Sequence, residues 1–143
     1  MKTSLILACA GKGERIGADK NKLLLQVGGN TILDKTLFSF LRTGLIDEYI
    51  IVCSKQDYNH VNSLYGNEYK VVLGGSTRTQ SVSNALSFVT GDVVLIHDGA
   101  RPMVSEQTIK KCIECAIQKG SAIPVCTTRD TMCVPQDGVI KNY

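Results

Sequence analysis

The sequence predicts an α/β protein with a doubly wound, mostly parallel sheet. Apolar strand-like runs recur along the chain, amphipathic segments with helical spacing lie between them, and a glycine-rich turn follows the first run directly. The strand-like runs lie near residues 3–9, 48–53, 69–73, 92–96 and 121–126. The helical segments run from Leu33 to Leu41, from about Asp57 to Leu64, from Ser81 to Phe88 and from Glu106 to Ile117. This alternation indicates βαβ units joined by right-handed crossovers.

The composition describes an ordinary globular domain. At 143 residues, the chain is long enough for one domain with a substantial core. Its net charge of +3 is too small to argue for a nucleic-acid partner. The apolar runs are shorter than the ~20 residues that cross a bilayer, and the N-terminus lacks the pattern of a signal peptide. We therefore expect no membrane partner and a cytoplasmic location.

The six cysteines are expected to be free thiols. Cys9 and Cys53 end strand-like runs, where cysteine usually acts as a small buried hydrophobe. Cys112 and Cys115 form a C-x-x-C pattern inside a helical segment, whereas a redox motif sits at a helix N-terminus after a strand. No second cysteine pair or histidine completes a zinc pattern around them.

The C-terminal segment has a different pattern from the rest. Residues 133–140 read as a strand, a Pro/Gly turn and a return strand, which predicts the start of a β-hairpin arm. The sequence stops at Tyr143, where that hairpin should pair. We therefore expect the chain to be the N-terminal part of a longer domain.

A glycine loop with two cations follows the first predicted strand. It spans residues 8–15 and carries Arg15, with Lys22 behind it. Backbone N–H groups in such a loop can approach phosphate oxygens, and the cations can neutralise them. A P-loop is excluded because no hydroxyl residue follows Gly11-Lys12. A glycine turn without a ligand would explain neither cation.

A dinucleotide-binding loop is also disfavoured. Gly11, Gly13 and Gly17 are spaced one residue too far for its fingerprint. The second predicted strand, which ends near Cys53, is followed by Ser and Lys where that fold needs an acidic residue for the ribose. A nucleotidyltransferase loop is the reading that remains.

A carboxylate at the end of another predicted strand indicates the second half of the site. His97 and then Asp98 follow the apolar run near 92–96 and begin the stretch His-Asp-Gly-Ala-Arg-Pro. In open α/β sheets, ligands bind at this carboxyl edge. Beside phosphates, such a carboxylate is typical of a magnesium ligand. The alternative is a cap or an ion pair with Arg101.

Taken together, these motifs resemble a known enzyme family. The residues that carry the resemblance are Ala10-Gly11-x-Gly13-x-Arg15, Lys22, Gly74-Gly75-x-x-Arg78-x-x-Ser81-Val82 and His97-Asp98-Gly99-Ala100-Arg101-Pro102. The sequence resembles the 2-C-methyl-D-erythritol 4-phosphate cytidylyltransferases of the non-mevalonate isoprenoid pathway. The glycine loop alone is common to many sugar-nucleotide enzymes, whereas the three blocks in this order are specific.

The resemblance implies a Rossmann-like nucleotidyltransferase fold, with residues 1–143 as the CTP-binding half and the start of a dimerisation arm. It implies transfer of a cytidylyl group from CTP to 2-C-methyl-D-erythritol 4-phosphate, a sugar-alcohol phosphate, with release of pyrophosphate. Arg15 and Lys22 would be the catalytic cations on the triphosphate. The other CTP-binding residues implied are Ala8, Cys9, Ala10, Gly11, Gly13, Gly75, Ser76 and Ser81. Ser81 could also cap the following helix.

The acceptor side is implied by fewer residues. Asp98 would bind Mg²⁺ and the acceptor hydroxyls, and Thr131 would contact the acceptor phosphate from the other subunit of a homodimer. Arg78, His97 and Arg101 are expected to order their loops. The family's later acceptor-binding residues are absent from the sequence, so the CTP site is expected to be the more complete one.

Two alternatives stay open. A sister cytidylyltransferase for ribitol 5-phosphate has the same glycine loop but tends to carry Ser-Val where this sequence has Gly99-Ala100. A non-catalytic nucleotide-binding fragment is the other.

Asn21 stands in a position where many family members have proline. This difference changes the turn before Lys22 and not the chemistry of Lys22.

Overall fold

The computed structural model describes residues 1–11, 21–127, 133–136 and 139–141. The strands are β1 (Thr3–Cys9), β2 (Gln26–Val27), β3 (Asn30–Thr31), β4 (Glu48–Cys53), β5 (Lys70–Leu73), β6 (Val93–Asp98), β7 (Val134–Gln136) and β8 (Val139–Lys141). The helices are α1 (Ile32–Leu41), α2 (Tyr58–Tyr65), α3 (Arg78–Leu86) and α4 (Glu106–Lys119), with a 3₁₀ helix at Lys22–Leu24.

A parallel four-stranded sheet in the order β5-β4-β1-β6 forms the centre of the fold. The chain moves outward from β1 through β4 to β5 and then returns to the opposite side of β1 as β6. The strand order therefore reverses between β1 and β6. A ligand crevice forms at the carboxyl ends of the strands at such a reversal. The α/β prediction is confirmed.

Helices cover both faces of this sheet. The alternation along β1 sends Leu5, Leu7 and Cys9 to the larger core, which α1, α2 and α4 complete. Ile6 points to the other face, where α3 contributes Ala85. A parallel sheet covered on both faces needs mostly apolar strands, and residues 5–9 of β1 have that character.

Side-chain caps define where α1 and α4 begin. Thr31 accepts a hydrogen bond from the Asp34 amide at 2.9 Å, and Asp34 accepts one from the Thr31 amide at 2.8 Å. This capping box starts α1. Ser105 caps α4 in a similar way, and Gly120 ends that helix with φ +86°. All four predicted helices are present.

The predicted strand at 121–126 was wrong in this structure. Residues 121–127 have no regular secondary structure, and Ile123 and Val125 are 83% and 91% exposed. Pro124 lacks the N–H that a strand needs at that position, which weakens pairing with the edge of β6. A cavity of about 550 Å³ lies instead between β6 and α4, with Pro124 at its border.

The C-terminal hairpin and the free cysteines agree with the sequence analysis. β7 and β8 pair antiparallel, with Val134 opposite Lys141, which is the predicted start of a hairpin. All six cysteines are free. In the described ranges, no helix combines the length and the apolar character needed to cross a membrane.

Candidate functional site

The carboxyl ends of β1 and β6 bring two of the sequence motifs side by side. Ala8 and Asp98 are register partners. The Gly99 amide then donates to the Ala8 carbonyl at 3.1 Å, which keeps the loop after β6 next to the start of the glycine loop. A Cβ atom on Gly99 would overlap the Cys9 sulfur. A glycine is therefore needed here for the two loops to meet.

The glycine pair Gly74-Gly75 lies on the other side of this crevice. The Gly74 amide donates to the Cys53 carbonyl at 2.8 Å, so the loop after β5 stays against β4. A Cβ atom on Gly74 would lie 2.6 Å from the Ala10 Cβ. The loop after β5 can therefore approach the glycine loop only because residue 74 has no side chain.

Ser81 holds the glycine pair in place. Its hydroxyl donates to the Thr77 carbonyl at 2.8 Å and accepts from the Gly75 amide at 3.0 Å, and the residue is buried. Thr77 is the residue that caps α3, so the alternative role of Ser81 as a helix cap is wrong. Ser81 instead orients the Gly75 main chain from inside the first turn of α3.

Gln80 is a contact that the sequence analysis missed. Its Oε1 accepts from both the amide and the hydroxyl of Ser76, at 2.9 and 3.0 Å. Its side chain also lies against Gly75, where a Cβ atom would overlap it. Gln80 therefore sets the shape of the Gly75-Ser76 turn. In the sequence, its only signal is that it is a polar residue directly before Ser81.

Asp98 lies between two arginines at the end of β6. Its Oδ1 accepts from Arg78 at 3.0 Å and its Oδ2 accepts from Arg101 at 2.8 Å. Partial burial opposes the charge of Asp98, but the hydrogen bonds from Arg78 and Arg101 outweigh it and hold its pKa below the ordinary value. The ion pair with Arg101 considered from sequence is present, and Arg78 is a second partner.

Helix α1 anchors the loop that follows Asp98. The Thr36 hydroxyl donates to the Gly99 carbonyl at 2.7 Å, and the Ser39 hydroxyl donates to the Pro102 carbonyl at 2.7 Å. His97 supports the same loop, with Nε2 3.0 Å from the Arg101 carbonyl oxygen and its ring packed edge-on against Phe40. These contacts agree with the structural role expected for His97. Thr36 and Ser39 were missed, because a hydroxyl on a helix gives no sequence signal for a distant partner.

The Cys9 side chain faces the core. It is 1% exposed, and burial, with smaller contributions from Cys53 and Asp98, raises the pKa of its thiol. The thiol is therefore neutral and inert. Any contact of Cys9 with a nucleotide would be made by its main chain.

Lys22 begins the 3₁₀ helix at the same edge of the sheet. Leu23 is buried in the larger core, and one of its methyl carbons would lie 3.6 Å from a Cβ atom on Gly99. The turn that contains Lys22 and Leu23 therefore lies close to Gly99 in the loop after β6. Gly13, Arg15 and Thr131, which were also predicted as site residues, lie outside the described residues.

Asp98 is the side chain predicted to bind a metal ion. Within residues 1–11, 21–127, 133–136 and 139–141, no group of three or more His, Cys, Asp or Glu side chains could hold a metal ion. Each Asp98 oxygen accepts one arginine hydrogen bond, and a carboxylate oxygen has a second lone pair. One ionised carboxylate fits Mg²⁺ that is mainly coordinated by substrate phosphates, and it does not fit an all-protein metal site.

Comparison with known proteins decides the family. The model of the family described as "IspD: 2-C-methyl-D-erythritol 4-phosphate cytidylyltransferase" matches residues 3–142. The chain belongs to this family. The match covers the glycine loop, the Gly74–Ser81 block and the Asp98 loop, so the three motifs of the crevice all fall within it.

Individual relatives agree with this result. The chain is 38% identical over 142 residues to a 2-C-methyl-D-erythritol 4-phosphate cytidylyltransferase of Clostridium botulinum, covering 94% of this chain and 62% of the relative. It is also 38% identical to the protein of the same name from Synechococcus sp., covering 95% of this chain and 64% of the relative. The chain therefore spans less than two thirds of the length of these relatives.

A solved structure extends the similarity to three dimensions. The 4-diphosphocytidyl-2C-methyl-D-erythritol synthase of Anaerococcus prevotii matches with a TM-score of 0.78 and 30% identity. The match covers 97% of this chain and 61% of the other. The fold is that of the nucleotidyltransferases of this family, as the resemblance implied.

Proposed function

We propose that this chain carries the CTP-binding part of an enzyme that transfers the cytidylyl group of CTP to 2-C-methyl-D-erythritol 4-phosphate. The observation that carries the proposal is the crevice between β1 and β6. There Gly74 and Gly99 let three loops approach one another, and Asp98 stays ionised beside them. A small-residue crevice at a strand-order reversal suits a nucleotide, because main-chain groups can reach its base and phosphates.

The reaction requires positioning and charge neutralisation. An oxygen of the acceptor's phosphate attacks the α-phosphorus of CTP and forms a new P–O bond. The bond between the α-phosphorus and the bridging oxygen of the β-phosphate breaks, and pyrophosphate leaves. The nucleophile is already ionised, so no general base is needed. The protein must bring two anions together and stabilise the charge of the five-coordinate phosphorus.

The residues of this chain divide that work. The main chain of residues 8–11 and of Gly75 and Ser76 binds the nucleotide, with Ser81 and Gln80 holding the turn. Lys22 and Arg15 neutralise the triphosphate. Asp98 orients the acceptor hydroxyls and would be the protein group that holds Mg²⁺. When bound, Mg²⁺ would neutralise phosphate charge as the leaving group departs.

The proposed binding of the acceptor involves two subunits. We propose that Thr131, which lies outside the described residues, contacts the acceptor phosphate from a second subunit of a homodimer, and that the antiparallel pair β7 and β8 is the start of the dimerisation arm. The cytoplasmic location expected from the sequence stays a prediction.

A calorimetric titration with magnesium–CTP tests the proposal, with ATP and NADPH as control ligands. We expect the wild-type chain to bind CTP selectively. A folded chain that binds none of the three, or all of them equally, would contradict the proposal.

A pyrophosphate-release assay tests the acceptor. Release should depend on 2-C-methyl-D-erythritol 4-phosphate and should be weaker with ribitol 5-phosphate. The pair Gly99-Ala100 favours this order, because the ribitol 5-phosphate enzymes tend to carry Ser-Val at that place. A preference for ribitol 5-phosphate would assign the chain to the other acceptor. CTP binding without release would support the non-catalytic alternative.

A further inference from the structure

We propose that Asp57 is a positioning residue for Lys22 and that it acts through the side-chain amide of Asn21. This inference rests on the proposed function, because it assumes that Lys22 binds the triphosphate. It concerns the segment after β4, which lies 36 residues away from Asn21 in sequence and outside all three motifs.

The Asn21 amide links Asp57 to the turn that carries Lys22. Its Nδ2 donates to Asp57 Oδ2 at 2.9 Å, and its Oδ1 accepts from the Leu23 amide at 3.1 Å. A carboxylate only accepts hydrogen bonds and a main-chain N–H only donates, so these two partners fix the orientation of the amide. Lys22 lies between Asn21 and Leu23 in the chain, so both of its neighbours take part in these contacts.

Asp57 is itself fixed. The Ser54 hydroxyl donates to Asp57 Oδ2 at 2.6 Å, and the Asp57 amide returns a hydrogen bond to the Ser54 Oγ at 3.2 Å. Ser54 directly follows Cys53, the last residue of β4. The rigid sheet therefore holds Asp57, and Asp57 in turn holds Asn21.

The other side of the Lys22 turn is fixed by packing. Leu23 is 4% exposed within the larger core, and the Leu25 amide donates to the Lys22 carbonyl at 3.2 Å. The buried leucine sets the depth of the turn, and the Asn21–Asp57 contact sets its direction along the edge of the sheet. A shift of about an ångström in a substrate-binding group is enough to weaken its action strongly.

Exchanging the two polar partners tests this role. Asn21→Asp keeps an acceptor for the Leu23 amide but places a carboxylate against Asp57. We expect CTP to bind about tenfold more weakly to this variant, while cytidine, which lacks phosphates, binds as it does to wild type. The double variant Asn21→Asp/Asp57→Asn restores a donor–acceptor pair and the original net charge. Its CTP affinity should return to within about twofold of wild type.

Two controls separate position from charge and stability. Asn67→Asp adds the same charge at an exposed asparagine between α2 and β5, and CTP affinity should not change. If Asn21→Asp does not fold, Asn21→Ala takes its place, and the same selective loss for CTP is expected. Circular dichroism establishes that each measured variant is folded.

The outcomes distinguish this inference from the function on which it rests. A wild-type chain that does not bind CTP would overturn both. Wild-type binding of CTP, together with a variant at Asn21 that binds equally well or loses CTP and cytidine affinity equally, would overturn the positioning role alone. A double variant without rescue would do the same.

Discussion

The two edges of the central sheet use carboxylates in different ways. At the amino edge, Asp47 accepts from the Thr3 amide and Asp92 accepts from the Lys2 amide, each at 2.8 Å. Glu48 accepts from the Ser4 hydroxyl and from the amide and hydroxyl of Thr90. These partners are main-chain groups and short side chains, so their positions are set by the fold.

At the carboxyl edge, the partners of Asp98 are long side chains. Arg78 and Arg101 are 64% and 74% exposed, and each can turn away from Asp98 at little cost in free energy. Asp98 can therefore exchange an arginine for a ligand, whereas Glu48 cannot release its partners without disturbing the chain. A carboxylate whose partners are free to move is available to a ligand, whereas one whose partners are fixed serves the fold.

The largest effect is expected from Lys22 at the carboxyl edge. Lys22→Ala should weaken CTP binding about 100-fold, because a charge-assisted contact with the triphosphate is lost. The free energy of unfolding should change by less than about 0.5 kcal/mol, because the core contact of this turn is made by Leu23. Lys111→Ala on α4 is the matched control for calorimetry. Unchanged CTP affinity in Lys22→Ala would mean that Lys22 does not bind the triphosphate, and the contrast between the two edges would then lose its main support.

Asp98 should show a smaller effect that depends on magnesium. Asp98→Asn should remove the part of the CTP affinity that Mg²⁺ provides, about tenfold, because a neutral amide is a poor magnesium ligand. Stability should hardly change, since exposed ion pairs contribute little. Titrations with and without Mg²⁺ measure the difference. If Mg²⁺ raised the CTP affinity of the variant as much as that of wild type, Asp98 would not bind the metal and would only pair with Arg78 and Arg101.

Glu48 should show the opposite pattern. Glu48→Gln should lower the free energy of unfolding by about 1–2 kcal/mol, because an amide cannot satisfy all of the donors that surround the carboxylate. CTP affinity should stay the same. Chemical denaturation measures the loss, and Glu114→Gln on α4 is a control whose exposed pair with Lys110 is worth less than about 0.5 kcal/mol.

The pH dependence gives this prediction a sign. Burial raises the pKa of Glu48, but hydrogen bonds from Ser4 and Thr90 and the charge of Lys2 outweigh it and bring the pKa below its ordinary value of 4.5. The stabilisation is therefore complete above pH 4.5 and is lost as the pH falls through the lowered pKa. Wild type and Glu48→Gln should converge in stability under acid. If the free energies of unfolding of wild type and Glu48→Gln differed by the same amount down to the lowest pH, the ionised Glu48 carboxylate would not be the source of the stabilisation.

The sequence was most informative where the contacts are local. Helical periodicity predicted all four helices, because each one buries a face within its own segment. The strand at 121–126 was predicted from apolar content alone. Whether such a run pairs depends on the edge of β6, which is distant in sequence, and on the missing N–H of Pro124.

The sequence predicted the motifs of the candidate site, but not the hydrogen bonds that connect these motifs to other elements. The motifs identified Asp98 and the glycines, but not the hydroxyl of Thr36, which reaches across 63 residues to the Gly99 carbonyl. Gln80 and the Asn21–Asp57 contact were missed for the same reason. Hydrogen bonds between separate elements leave no periodic pattern, so they become visible only when the topology brings the elements together.

The smallest effect is expected at the thiols of α4, which belong to neither edge. Cys112 is half-buried beside the cavity between β6 and α4, and Cys115 is exposed. Serine has a helix propensity similar to that of cysteine. Cys112→Ser/Cys115→Ser should therefore cost less than about 1 kcal/mol of stability and leave CTP affinity unchanged. Calorimetry and thermal unfolding, each with and without a zinc chelator, measure both quantities. A loss of CTP affinity in this variant, or in the chelated wild type, would mean that a thiol site far from the carboxyl edge controls binding there. The comparison of the two edges would then have to include α4.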